Sequence, residues 1–267
     1  MANYKKVDAD QLDADLAAVA GAIREKTGGT EQLAFPGGFT EAIAGIENTG
    51  GGGDDTLLNA LVGRTVTVLD TDRLTQIGAY GMAYTNSLES INLPNVNTLQ
   101  GTNQFRDCKN LKSVRMDIVT TIASACFTRC DSLESVDFPE ATRIEGTAFS
   151  TCPALVNVNI PKATYMGSSA FNGCTALKRV DFPVMETIYN AAFSGDTALE
   201  ALILRGSKVV FLNNVNAFNN SGVSNGTGYI YVPRELVESY KTALYWSNFA
   251  SQIRAIEDYP EITGGNG

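Results

Sequence analysis

Thr121-Ile122-Ala123-Ser124-Ala125-Cys126-Phe127-Thr128-Arg129-Cys130-Asp131-Ser132-Leu133-Glu134-Ser135-Val136-Asp137-Phe138-Pro139-Glu140-Ala141-Thr142 is one period of a pattern that runs through the middle of the chain. Phe105, Phe127, Phe149, Phe171 and Phe193 stand 22 residues apart, and Cys108, Cys130, Cys152 and Cys174 keep the same step. Leu111, Leu133, Leu155, Leu177 and Leu199 keep it as well, as do Pro139, Pro161 and Pro183. A fixed period of this length marks stacked units that bury their apolar side chains only against one another. The pattern frays at both ends. Residues 77–97 form a degenerate unit with Met82 in the Phe place, Leu88 in the Leu place and Pro94 in the Pro place, and one residue is inserted before the next unit, near Thr98. In residues 187–208, Asp196 replaces the expected Cys and Arg205 the expected Pro.

Each unit reads as one strand and a return path. Leu133-x-x-Val136-x-Phe138 alternates with period two at its end, and Pro139 closes it because proline cannot donate to a ladder. Ser124-Ala125-Cys126-Phe127 is too short for an α-helix and predicts a single helical or 3-10 turn. Ile122 predicts a short second bridge. The third and fifth places of Leu-x-x-Val-x-Phe alternate outward and give two stripes across the sheet. One is Ser90, Ser113, Ser135, Asn157, Arg179 and Ala201; the other is Asn92, Arg115, Asp137, Asn159, Asp181 and Ile203. Arg115, Ser135, Asp137, Asn157, Asn159, Arg179 and Asp181 are the candidate recognition residues of this face, which otherwise is a solvated sheet surface.

Composition removes several function classes. Net charge is −9, from 20 Lys and Arg against 29 Asp and Glu, so the counterion release that drives nucleic-acid binding has no basic surface to work through. His is absent, which removes the usual general base, the usual triads and His-containing metal sites. No apolar run reaches the 18 or so residues of a membrane span. No secretion signal is expected from Met1-Ala2-Asn3-Tyr4-Lys5-Lys6-Val7-Asp8, which turns acidic where such a segment turns apolar. The Cys column predicts buried thiols in a line rather than a tetrahedral zinc site or disulfides. Gly50–Gly53 lacks a following Lys-Ser/Thr, and Asp70-Thr71-Asp72 lacks the rest of an EF-hand loop. No catalytic, cofactor or metal residue is assigned.

The N-terminal residues carry no repeat. Leu12, Leu16, Val19 and Ile23 fall at spacings of 4, 3 and 4, the seam of a helix packed on its own module or of an oligomer. A second short amphipathic helix is expected over 39–46, and four consecutive Gly from Gly50 to Gly53 read as a linker. The expected division is a helical attachment or oligomerisation module at 1–49, a Gly-rich linker at 50–56, a repeat solenoid at 57–208 and a C-terminal capping region and tail at 209–267. After Pro233, Leu236, Val237, Tyr240 and Leu244 fall on one face at helical spacing.

The unit x-Ile-x-x-x-Ala-Phe-x-x-Cys-x-x-Leu-x-x-Val-x-Phe-Pro, with Ala148-Phe149-Ser150-Thr151-Cys152 and Ala170-Phe171-Asn172-Gly173-Cys174, resembles the BspA-like leucine-rich repeat family over residues 57–258. The resemblance implies a leucine-rich-repeat solenoid with a β-strand and a short helical or 3-10 turn in each 22-residue coil. It also implies a helical C-terminal cap and a role in recognition rather than catalysis; the small α-helical N-terminal module comes from the spacing of Leu12, Leu16, Val19 and Ile23. Ala22-Ile23-Arg24-Glu25-Lys26-Thr27-Gly28-Gly29-Thr30, with Leu33-Ala34-Phe35-Pro36-Gly37-Gly38-Phe39, resembles the opening module of repeat proteins encoded in phages and prophages. Together they imply a non-enzymatic structural or adhesion protein of a phage or prophage particle, associated with the tail. It would join other virion proteins through its N-terminal module as a homo-oligomer and meet a host surface protein or glycan through the repeat face. No nucleic acid, cofactor or membrane insertion is expected, and the expected location is the virion. The alternative is a bacterial cell-surface adhesin of the same repeat family.

Overall fold

Strands form where the alternation predicts them, and each is short because the chain must turn again within the same coil. The computed structural model describes residues 67–263 apart from Thr71 and Arg73; the seam at Leu12, Leu16, Val19 and Ile23, the helix at 39–46 and the Gly run lie outside the described residues. The early coils contribute β1 (Val68–Asp70), β2 (Gln76–Ile77), β3 (Ser90–Asn92), β4 (Thr98–Leu99), β5 (Ser113–Arg115), β6 (Thr121–Ile122), β7 (Ser135–Asp137) and β8 (Arg143–Ile144). The later ones contribute β9 (Asn157–Asn159), β10 (Tyr165–Met166), β11 (Arg179–Phe182), β12 (Thr187–Ile188), β13 (Ala201–Leu204), β14 (Phe211–Leu212), β15 (Tyr229–Val232) and β16 (Ile253–Ala255).

All pairings are parallel. The front of the solenoid is the sheet β1-β3-β5-β7-β9 followed by β11-β13-β15-β16, and the back is β2-β4 and β6-β8-β10-β12-β14. Val114 pairs with Val136 and Val136 with Val158, so identical places of the repeat lie side by side. The inserted residue is located by register. Ile77 still pairs with Leu99, 22 places on, whereas the Met82 amide reaches Gln104 and the Phe105 amide Cys126, separations of 22 and 21. The extra residue therefore falls after Leu99, where Gly101 takes a φ of +74° and an added Cβ would meet that of Ala79 at 2.8 Å. Only glycine fits both demands.

The core is a set of columns along the solenoid. Phe105, Phe127, Phe149, Phe171, Phe193 and Phe218 are fully buried and stack ring on ring, with centroids 5.2, 5.5, 5.2, 5.6 and 5.7 Å apart. Phe138 and Phe182 lean on this column from the strand side. The repeated Leu and Ile places, including Leu133, Leu155, Ile122 and Ile144, fill the remaining interior.

The segment around each column Phe is not the expected helical or 3-10 turn. The residues two before and two after the ring have positive φ, as in Ala125 (55°) and Arg129 (62°) around Phe127, and Thr147 (56°) and Thr151 (60°) around Phe149. This alternation divides the amides between two tasks. Cys126 and Thr128 donate back within the coil, to Ala123 and Ala125, at 3.2 Å each, while Ala125, Phe127 and Arg129 donate forward to Gly146, Ala148 and Ser150 at 3.0, 2.8 and 2.9 Å. A helix would have spent every amide internally and left the coils unpaired on this side. Among the described residues only the last such segment, Val215–Phe218, is a 3-10 helix.

C-terminal to β15, the chain forms α1 (Val237–Thr242), three 3-10 turns and α2 (Pro260–Thr263). Helix α1 ends at Thr242, before the fourth member of the expected apolar face; Tyr240 is buried but Leu244 is 72% exposed. Trp246 and Phe249 instead lie against Phe218, at 5.9 and 5.2 Å between centroids. The outward stripes also end differently from expectation. Ala201 and Ile203 are buried at 4% and 0%, in a second apolar cluster on the outer surface of the front sheet with Tyr231 and Ile256.

Replacing Phe149 by Ala should cost about 3–5 kcal/mol, because the rings on either side cannot close the gap, whereas Asn157→Ala should change stability by about 0.5 kcal/mol or less. Gly173, at φ +79°, occupies the same turn place as Thr151, and Gly173→Val should cost about 1–2 kcal/mol through backbone strain alone, since an added Cβ has room. Urea denaturation of the three variants checks the inside–outside assignment and the left-handed turn together.

Candidate functional site

The front sheet is the surface on which repeated side chains can act together. In each strand the middle residue points inward, as Ile91, Val114 and Val136 do, and the flanking residues face out. The outer face of β1, β3, β5, β7 and β9 is a shallow concavity of about 730 Å³ whose lining includes Asp70, Asn92, Arg115, Asp137, Asn157 and Asn159.

The two outward columns differ in what they leave free. In the second column, Asn92 Nδ2 donates to Asp70 Oδ1 at 2.9 Å, and Asn159 Nδ2 donates to Asp137 Oδ1 at 2.7 Å. Arg115 bridges Asp137 on the next coil and Asp117 on its own, the latter at 2.8 Å. These groups satisfy one another along the solenoid axis. The first column does not: among the described residues, the hydroxyls of Ser90, Ser113 and Ser135 and the amide of Asn157 have no side-chain hydrogen bond, and together they offer an axial row of unspent donors and acceptors.

Of the predicted face residues, the fold brings Arg115, Ser135, Asp137, Asn157 and Asn159 onto this concavity. It does not leave Arg179 and Asp181 open. Arg179 Nη2 donates to the Ile262 carbonyl, and Asp181 receives a bidentate pair of bonds from Arg205 at 3.0 and 2.7 Å. Sequence reasoning missed Asp70 and Asp117, which line the concavity but lie outside the two stripes as read. It also missed the back sheet, where Arg143 lies 3.8 Å over the Tyr165 ring and Tyr165 meets Tyr189 at 5.2 Å. The 22-residue register carried part of the signal: Asp70 continues the second stripe one coil before Asn92, and Arg143 and Tyr165 are one step apart on the back sheet, whereas Asp117 and Tyr189 are out of that register.

Residues 65–152 and 101–225 match the BspA type Leucine rich repeat region family, in six copies. The chain belongs to this family. No curated protein matches it. The BspA-type chain is similar in fold to a leucine-rich repeat protein from Bacteroides ovatus, with 19% identity and a TM-score of 0.53, covering 71% of this chain and 54% of that one. It is also similar to the T. pallidum leucine rich repeat protein, at 24% identity and a TM-score of 0.42 over 52% of this chain and 67% of that one. A leucine rich cell surface protein from Faecalibacterium prausnitzii gives 18% identity and a TM-score of 0.37, over 63% and 60%. The chain spans about half the length of the Bacteroides ovatus structure.

The Cys column of this BspA-type repeat is built into the core. Cys108, Cys126, Cys130, Cys152 and Cys174 are buried free thiols. The four column sulfurs donate to backbone carbonyls of the preceding coil at 3.1–3.3 Å, as Cys130 does to Phe105 and Cys152 to Phe127. Burial pushes Cys108 and Cys152 up to about 12, and the others well above the usual thiol range, so these sulfurs stay protonated and unreactive. Among the described residues no group of three or more Cys, Asp or Glu is placed to hold a metal ion.

Asp196 ends the column. Its Oδ1 accepts from the Cys174 amide at 2.8 Å, and its Oδ2 is buried with no partner among the described residues. Burial pushes its carboxyl up to about 8, against two backbone hydrogen bonds that pull it down. At low pH the group is neutral in both states. As pH rises past the ordinary Asp value of about 4 the unfolded chain loses the proton, while the folded chain holds it up to about 8. Stability from this group is therefore complete below about pH 4 and lost by about pH 8. Asp196→Asn, which keeps the acceptor for the Cys174 amide, should match the parent at pH 4 and melt about 5 °C or more above it at pH 8.5. Thermal melts across that range read the difference directly.

Proposed function

We propose that this BspA-type protein is a non-enzymatic display protein that recognises a host surface protein or glycan through the front concavity. The observation that carries this reading is the free axial row Ser90, Ser113, Ser135 and Asn157, set beside a column of charged and amide groups that hold one another in place. An extended ligand lying along the solenoid axis meets the same spacing of hydrogen-bonding groups at each coil, about 4.8 Å apart. The stripe is polar throughout, which suits hydroxylated or peptide-backbone ligands. The Arg115 bridge contributes shape, and its exposed ion pairs add little stability.

The module at 1–49 attaches the protein to a phage or prophage particle, in the tail, as a homo-oligomer; the solenoid occupies 57–208 and the closing region 209–267. The resemblance of residues 22–39 to phage-encoded opening modules supports attachment, and several copies on one particle would raise the avidity of a weak face. In the second reading, a bacterial cell-surface adhesin, the same face acts and residues 1–49 attach to the cell instead. A chain beginning at Asp54 should stay folded, sediment as a monomer and be missing from purified particles on immunoblots, while the full chain is present. Equal incorporation of both chains would refute the division of labour.

A further inference from the structure

The two residues that follow each column Phe lie on the side of the solenoid, between the back and front sheets. From Phe105 to Phe193 only Arg106, Asp107 and Arg129 are charged at these places; after Phe149, Phe171 and Phe193 they are Ser, Thr, Asn or Gly. Asp107 is 5% exposed and sits between two guanidiniums. Arg106 Nε meets its Oδ2 and Arg129 Nε meets its Oδ1, each at 3.1 Å. One buried carboxylate thus holds two arginines and neutralises one of them. The next charges along these coils, Lys109 and Asp131, pair with each other at 3.7 Å. Both arginines turn Nε toward Asp107. Beyond that contact Arg106 has only a long bond from Nη1 to Asn103 Oδ1 at 3.4 Å, and among the described residues the Nη groups of Arg129 make no hydrogen bond. Tyr84 occupies the same left-handed turn place one coil earlier and is 56% exposed.

We propose that Arg106, Arg129 and Tyr84 form a binding site for a sugar that carries one carboxylate, a sialic or uronic acid unit of a glycan. A guanidinium presents its N–H groups as a planar fork that matches the two oxygens of a carboxylate, and a fork already fixed through Nε loses little freedom when it binds. Here two such forks share one buried anchor, with their Nη groups left to a ligand. The exposed Tyr84 ring supplies apolar surface for the body of the sugar, one coil from the charges. Charge balance sets the limit on the ligand. The site has one net positive charge in a chain of net charge −9, so a single anionic group is attracted locally while a run of sulfates or phosphates is repelled by the whole molecule. None of the residues lining the front concavity belongs to this site, and the inference does not require that the concavity bind anything.

The test is calorimetric titration of the full chain with sialyllactose and, separately, with a disaccharide ending in glucuronic acid. At least one should bind, and which one does tells the sialic from the uronic source. Lactose and the methyl ester of the bound sugar should not bind. Arg129→Gln leaves Asp107 paired with Arg106, so the fold should be kept, and affinity should fall about tenfold or more. Arg129→Lys keeps the charge and loses the fork; it should weaken binding by a smaller factor and serves as the test should the Gln variant melt early. Tyr84→Ala should weaken binding about threefold. Ser113→Ala and Asn157→Ala, on the front concavity, should leave it unchanged. Binding of neither sugar would overturn the proposal, as would equal binding of the methyl ester or parental affinity in both Arg129 variants. A loss of sugar binding in Asn157→Ala would also overturn it, by moving the sugar to the concavity.

Discussion

From Phe105 to Phe193, the amide of each column Phe donates to a carbonyl of the next coil, and the rest of the molecule depends on that bond. Phe105, Phe127, Phe149, Phe171 and Phe193 reach Cys126, Ala148, Ala170, Ala192 and Ala217 at 2.8–2.9 Å. The bond can point along the solenoid only because a left-handed residue stands two places before or after the ring, turning alternate amides out of the local turn. For non-glycine residues that conformation costs about 1–2 kcal/mol each. A single coil has nothing to set against the cost. A stack recovers it through hydrogen bonds and ring burial shared with both neighbours, so folding is cooperative along the axis.

The period, the core columns and the alternation of the front strands were legible because each rests on residue type at a fixed spacing. Phe149, Cys152 and Leu155 are buried where the repeat places them. The turn was not legible, because its defining feature is backbone handedness at places occupied by residues as unlike as Ala125, Thr147 and Ser169. Only Gly173 and Gly195, at the later place, hinted at it. The candidate face was half legible. Side-chain direction followed from period two, but the loss of Arg179 to the Ile262 carbonyl depends on a contact between residues 83 positions apart, beyond the reach of any local pattern.

On the front face, internal pairing and free hydrogen-bonding capacity fall to different columns. Arg115, Asp137 and Asn159 form the most conspicuous charged pattern in the sequence, yet they spend most of their hydrogen-bonding capacity on one another. Charge alternation along that column avoids like neighbours on adjacent strands, which is sufficient physical reason for it. The plain Ser column, with no charge to draw notice, is the one left with capacity for a ligand. Prominence in sequence and availability in structure point to different columns.

A stack of this kind also has to stop. Parallel rings invite another ring, and outward amides invite another strand or turn. At the C-terminal end both invitations are withdrawn at Phe218. Phe193 lies parallel to Phe218, within 2°, but Phe249 meets Phe218 at 79° and presents an edge rather than a face. Phe218 itself belongs to the 3-10 helix Val215–Phe218, capped by the Asn214 side chain accepting from the Asn216 amide at 2.9 Å. Here the amides turn inward, to Asn214 and Asn216, because no coil follows to receive them. The helical turn expected in every unit thus occurs where the repeat ends, and its rarity elsewhere follows from the need of each inner coil to bond with the next.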